Sequence, residues 1–153
     1  FSGEYFTINE AVVRPRPVQQ PRPPIVIAAL GPVMVRFAAR MADTWNTMSF
    51  AGTFDEQLTE IGAKVDVFNE ACAKLGRDPG DVRLSYHMFD PKARSSGGAF
   101  SYYASVDAFE EMAGRVMEVG FSELSLYYPV LPEQVAVFER IAQDVLPKIR
   151  QAG

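Results

Sequence analysis

The run Ile25-Val26-Ile27-Ala28-Ala29-Leu30-Gly31-Pro32 is where the chain changes character. Ile25 to Leu30 are all apolar and β-branched at the start, without the polar alternation of a half-exposed strand. Buried parallel strands have this pattern because both of their faces are covered. Gly31-Pro32 then breaks the run, and proline is well tolerated in the first turn of a helix, where its missing N–H has no partner to lose. The stretch predicts a strand feeding a helix through a short turn, the elementary step of an α/β fold.

The same step recurs downstream. Val33, Phe37, Ala38 and Met41 fall at helical spacing, and Thr44 to Ser49 predicts a second short strand. Leu58, Ile61, Val65, Phe68, Cys72 and Leu75 advance by threes and fours, while Glu56, Glu60, Lys64, Asp66 and Glu70 fall off that stripe. Asp55 is the expected N-cap of this helix and Gly76 its stop. After the turn Asp78-Pro79-Gly80, Val82 to Phe89 predicts a third strand. Residues 90–104 are irregular, polar at Ser95, Ser96, Gly97 and Gly98 and aromatic at Phe100, Tyr102 and Tyr103. Val106, Phe109, Met112, Val116 and Val119 mark another helix, with Ser105 as its cap and Gly120 as its end. Phe121 to Tyr128 predicts a fourth strand. Pro132 opens a last helix with the stripe Val135, Phe138, Ile141 or Ala142, Val145 and Ile149; Pro147 inside it predicts a kink or frayed last turns. Strand–helix alternation repeated about four times predicts a parallel sheet with helices packed outside it and right-handed crossovers.

Upstream of Ile25 the composition differs. Tyr5 to Ile8 and Ala11 to Val13 predict short strands around an Asn9-Glu10 turn. Arg14 to Pro24 is proline-rich and so extended, outside any sheet interior; a connecting arm is a better reading than a ligand for a proline-recognising domain. The chain divides into 1–24, an insertion hairpin with its Pro-rich arm, and 25–153, the α/β body.

The chain has 153 residues, 48% of them hydrophobic and 22% charged, with a net charge of −4. These values suit one ordinary globular domain. They argue against nucleic acid as a partner, since there is no basic stripe to neutralise phosphates. A single cysteine, Cys72, and a single histidine, His87, exclude a disulfide framework and a multi-histidine metal site; no metal site is expected. Cys72 lies in the helical stripe and reads as a small buried hydrophobe. No apolar run approaches the ~20 residues that span a bilayer and no signal peptide is visible, so no membrane partner and a cytoplasmic location are expected. Because the chain begins at Phe1, the expectation is a piece of a longer product.

Periodicity alone leaves two architectures open: a small doubly wound sheet, or half of an eight-stranded barrel. Motifs separate them. The segment Pro15-Arg16-Pro17-Val18-Gln19-Gln20-Pro21-Arg22-Pro23-Pro24-Ile25, running into Ala28-Ala29-Leu30-Gly31-Pro32, resembles the mid-chain signature of luciferase-like monooxygenases and their F420-dependent oxidoreductase relatives. Ala38-Ala39-Arg40-Met41-Ala42-Asp43-Thr44-Trp45-Asn46 is similar to a following family segment. Glu118-Val119-Gly120-Phe121 and Val145-Leu146-Pro147-Lys148-Ile149-Arg150 resemble its closing motifs. The resemblance covers essentially the whole chain. It implies an α/β, (β/α)8 TIM-barrel type fold, this chain being about the last four βα units, a half barrel, since a complete barrel takes about 250 residues.

The chain departs from the family pattern in three places. Thr44 stands where the family usually has glycine and is expected to crowd the backbone near a cofactor. Leu30 stands where Gly or Ser is common. Pro91 to Tyr103 is longer than usual.

Ligands of such barrels bind at the carboxyl ends of the strands. The resemblance implies that Ala28, Ala29, Leu30 and Gly31 contact the phosphate of F420 or FMN, where a helix N-terminus offers free N–H groups and the positive end of its dipole. Asn46 is expected to hydrogen-bond a cofactor edge or phosphate. Trp45 reads as core and Asp43 as a turn or cap residue. His87 reads as a side chain lining the barrel mouth or packed on the following loop. Of Tyr127 and Tyr128, one is expected in the core, since adjacent strand residues face opposite ways. No nucleophile–base pairing is visible and no catalytic residue is assigned.

The function implied is part of a flavin (FMN)- or F420-dependent oxidoreductase or monooxygenase acting on a small-molecule substrate, with the ring system carrying the chemistry. The arm and the Ala28–Pro32 loop favour F420 over FMN, by resemblance. The alternative is a non-catalytic half-barrel module. A half barrel leaves the edges at Ile25–Leu30 and Phe121–Tyr128 unpaired and an apolar barrel-facing surface uncovered. Either reading expects association, with a missing N-terminal barrel half or with a homodimer partner.

Overall fold

The computed structural model describes residues 1–12, 14–93 and 95–152, with side chains as far as Ile149. Val13 at the end of the second upstream strand, Arg94 inside the irregular stretch and the side chain of Arg150 in the closing motif lie outside the described residues.

Strands β1 (Val26–Ala28), β2 (Thr44–Thr47), β3 (Arg83–His87) and β4 (Glu123–Ser125) form one parallel sheet in the order β1-β2-β3-β4. Between them run α1 (Pro32–Met41), α2 (Phe54–Leu75) and α3 (Val106–Glu118). After β4 come α4 (Pro132–Arg140), a π-helical turn (Ile141–Val145) and α5 (Leu146–Ala152). The strictly sequential order is not that of a doubly wound sheet. A doubly wound sheet reverses its strand order and carries helices on both faces. Here the register aligns Ile27 with Trp45 and Trp45 with Leu84, then Tyr86 with Leu124. These residues join the two apolar cores built with the helices, so all the helices share one face.

The opposite face is mixed. Val26 and Ala28 stand beside Asn46, Ser85, His87, Glu123 and Ser125, linked by register and by the Asn46–Ser85 and His87–Ser125 hydrogen bonds. The uncovered surface is therefore largely polar where an apolar one was expected.

The strands are shorter than the apolar runs. The N–H of Ile25 goes to the Asp43 carboxylate (2.6 Å) instead of a strand partner. Beyond Ser125 the chain leaves the sheet, so Leu126 to Tyr128 are outside β4. β2 likewise stops at Thr47, and β3 is Arg83–His87.

Of the stripe predicted for α1, Ala38 alone turns inward. Val35, Ala38 and Ala39 are buried against Phe68, Ala71 and Cys72 of α2. Val33 (70% exposed), Phe37 (45%) and Met41 (40%) point away. Small residues let the two helices approach closely, and this packing selects the alanine side. Arg77, just after α2, donates to the last carbonyls of α1 at Ala39 (2.9 Å) and Ala42 (2.7 Å).

α2 begins two residues earlier than expected. Thr53, not Asp55, is its N-cap, in a reciprocal capping box with Glu56. Gly76 ends it in the left-handed region (φ 65°), as its position predicted. Ser105 caps α3, accepting from the Ala108 N–H at 3.0 Å. Pro147 leaves no donor for the carbonyl a turn before it, and the helix adapts through the π-helical turn, where the Leu146 N–H reaches Ile141.

Residues 1–12 form no strand. A single antiparallel bridge joins Ser2 to Thr7 and the segment is exposed, because no apolar face packs it down. The arm docks at its end instead: the Arg22 guanidinium pairs with the Asp43 carboxylate.

Candidate cofactor site at the strand ends

Ala28 ends β1, Ala29 is buried and Gly31 is the N-cap residue of α1. Two hydrogen bonds set the loop: the Ala29 N–H donates to the Asn46 carbonyl (2.9 Å), and the Trp45 indole N–H donates to the Ala29 carbonyl (3.1 Å). Trp45 is fully buried and stacked on Phe68 at 4.9 Å, so it is the core residue it was read to be. The structure thus brings Ala28, Ala29, Leu30, Gly31 and Asn46 to the carboxyl ends of two adjacent strands.

The N-terminus of α1, like that of α4, has no side-chain cap, whereas Thr53 and Ser105 cap α2 and α3. Nothing lies within 4 Å of where a Gly31 Cβ would stand, and Leu30 is 41% exposed. Uncapped N–H groups at a helix start, with open space before them, suit a phosphate. The side-chain amide of Asn46 donates to the Ser85 hydroxyl at 2.9 Å on the polar face.

Thr44 does not crowd this loop. It begins β2, aligned with Val26 and Arg83, and Asn46 lies two residues nearer the strand's carboxyl end. Asp43 lies in the turn between α1 and β2 and caps no helix. The Arg22 guanidinium and the Ile25 N–H hold its carboxyl well below the usual range, at about 2.

His87 ends β3 on the polar face. Its Nδ1 lies 3.0 Å from the Ser125 hydroxyl, and its ring meets Tyr127 edge-on at 4.6 Å. Burial pushes its pKa down. It packs on β4 and the segment after β4, not on the loop that follows its own strand. Neither tyrosine is in the core: Tyr127 and Tyr128 are both exposed because they follow the strand, with Tyr127 stacked on Phe100 and Tyr128 set against Phe138.

Two glutamines that shape this end were missed. Buried Gln57 of α2 donates to the carbonyls of Ala51 and Phe89 and accepts from the Tyr86 hydroxyl, tying the loops after β2 and β3 together. Buried Gln134 of α4 accepts from the Phe100 N–H (3.0 Å) and donates to the Phe100 carbonyl (2.8 Å). The available signal was a polar side chain beside each apolar stripe, which by itself is ordinary. Among the described residues no cluster of His, Cys, Asp or Glu suits a metal, and no helix is long and apolar enough to cross a membrane.

A parallel α/β sheet with its helices gathered on one face is a TIM-barrel-like arrangement. The family model described as luciferase-like monooxygenase matches residues 1–90, and the chain belongs to that family. A phthiodiolone/phenolphthiodiolone dimycocerosates ketoreductase from Mycobacterium sp. (strain JLS) is 30% identical over 130 residues, 77% of this chain and 33% of the relative. An F420-dependent glucose-6-phosphate dehydrogenase from Microbacterium testaceum (strain StLB037) is 32% identical over 93 residues, 57% of this chain and 26% of the relative. The chain therefore spans about a third or less of the length of these curated relatives. The coenzyme F420-dependent tetrahydromethanopterin reductase of Methanopyrus kandleri superposes with a TM-score of 0.72 at 16% identity, over 97% of this chain and 57% of that one. At that identity the likeness is one of fold.

Proposed function

We propose that the chain is the cofactor-phosphate-binding arc of an F420-dependent oxidoreductase. The observation that carries this reading is the uncapped N-terminus of α1 facing open space at Gly31. The F420-dependent relative supports F420 over FMN. When bound, F420 supplies hydride chemistry. The backbone of Ala28 to Gly31 holds the phosphate, Trp45 fixes that loop, and Asn46 and Ser85 present polar groups along the face free of helices. In this reading the four strands are half of an eight-stranded barrel. The other half, from an upstream segment or a second copy, covers the polar face and the apolar stripe Val33, Phe37 and Met41 on the outside of α1.

The test is a binding titration followed by deazaflavin fluorescence, with F420, with the same chromophore lacking its phosphate, and with FMN. F420 is expected to bind at least about tenfold more tightly than the phosphate-free form, since an anion at a helix N-terminus gains up to ~2 kcal/mol in partly buried geometry. Leu30→Asp, a change at an exposed side chain, is expected to remove that difference by repulsion. Equal affinity with and without phosphate, or no F420 binding at all, would overturn the reading; preference for FMN would move it to a monooxygenase.

A further inference from the structure

A second cavity of about 450 Å³ lies at the same end of the sheet, bounded by Phe50, Phe89, Pro91, Ala93, Phe100 and Tyr127 together with Asp90. These residues come from three strand ends: Phe50 after β2, Phe89 to Ala93 after β3, and Tyr127 after β4, with Phe100 from the longer-than-usual stretch before α3. The rings are arranged in pairs. Phe50 and Phe89 meet edge to face at 5.0 Å, and Phe100 and Tyr127 lie nearly parallel at 5.6 Å and 7°. Phe50 is 61% exposed, so its ring is open to a ligand from outside.

Charge narrows the ligand. Asp90 is the one charged lining residue among those described, and both its oxygens are engaged. Oδ1 accepts from the Lys92 N–H at 2.9 Å and Oδ2 from the Ser101 N–H at 2.7 Å. The carboxylate closes the loop on itself, and its negative charge disfavours an anionic ligand. The wall is also preformed: Gln134 pins Phe100 through both of its backbone groups. Ligand pockets of about 300–1,000 Å³ lined by aromatic and apolar side chains bury most of a small organic molecule. Tyr127 joins this wall to His87 on the polar face.

We propose, resting on the oxidoreductase reading above, that this cavity holds the apolar body of a neutral, ring-bearing substrate, not a sugar phosphate or another anion. Phe50 is its outer wall and the Phe100–Tyr127 pair its floor.

The experiment is a saturation-transfer NMR titration of the protein with 4-phenyl-2-butanone, and separately with glucose 6-phosphate, with an F420 titration on the same preparation. The ketone is expected to bind and the sugar phosphate neither to bind there nor to displace it. Phe50→Ala is expected to weaken the ketone by roughly three- to tenfold, the loss of one aromatic contact, and Phe50→Asp to abolish its binding; both changes are at an exposed side chain. Binding of glucose 6-phosphate in competition with the ketone, or ketone affinity indifferent to Phe50, overturns the proposal. If F420 binds and the ketone does not, the substrate class is wrong and the oxidoreductase reading stands. If neither binds, both fall.

Discussion

The indole N–H of Trp45 is hydrogen-bonded to the carbonyl of Ala29 at 3.1 Å, so a residue of β2 fixes the loop at the end of β1. Trp45→Phe keeps most of the ring and its stacking on Phe68 but leaves the carbonyl of buried Ala29 without its partner. An unpaired buried acceptor costs about 1–3 kcal/mol. Chemical denaturation is expected to show a loss of that size, and the F420 titration a weaker complex. Unchanged affinity in a destabilised variant would separate Trp45 from the loop's function.

Asp43 anchors the Pro-rich arm through Arg22 and the start of β1 through Ile25. Its carboxyl is depressed from 3.8 to about 2 in the fold. A depressed acid contributes stability that is present above its unfolded pKa and is lost as pH falls through its folded one. The arm is expected to stay docked above about pH 4 and to release toward pH 2, read as rising hydrogen exchange at the Ile25 amide. Asp43→Asn is expected to raise that exchange at neutral pH and to remove its acid dependence.

His87 is the sole histidine, so its ring gives a single set of imidazole NMR signals. Burial lowers its pKa from 6.5, and its titration midpoint is expected below that value. For a histidine with a lowered folded pKa, protonation favours the unfolded chain. Stability therefore falls as pH drops below 6.5 and levels off below the folded midpoint. Ser125→Ala, which removes the hydroxyl 3.0 Å from Nδ1, is expected to change the tautomer ratio in the ¹⁵N spectrum. A midpoint at or above 6.5 would contradict the packing against Tyr127.

Gln134 and Gly98 hold the aromatic loop against the body. Gln134→Ala strips Phe100 of partners for both its N–H and its carbonyl, expected to cost about 1–3 kcal/mol. Gly98 has φ +97°, and a Cβ there would come within 2.6 Å of Val130. Gly98→Ala is expected to push the loop away and to reduce ketone binding without altering F420 binding. Limited proteolysis within residues 95–99 is the direct readout, and resistance equal to the parent's would refute it.

The sequence by itself determined the alternation of strands and helices, the end of α2 at Gly76, the cap at Ser105, the core role of Trp45 and the family. These rest on local chemistry: apolar spacing, capping side chains, a left-handed residue and short motifs whose meaning does not depend on distant partners. Tertiary structure alone decided the rest. On α1 the apolar spacing named Ala38 but set Val33, Phe37 and Met41 beside it, and only the close approach of α2 selected Val35 and Ala39 instead. Gln57 and Gln134 became clamps only because chain remote in sequence left carbonyls and N–H groups in need of partners beside them. The aromatic cavity draws on three strand ends, from Phe50 to Tyr127, and no periodicity predicts which rings meet when contacts are set by packing across a sheet.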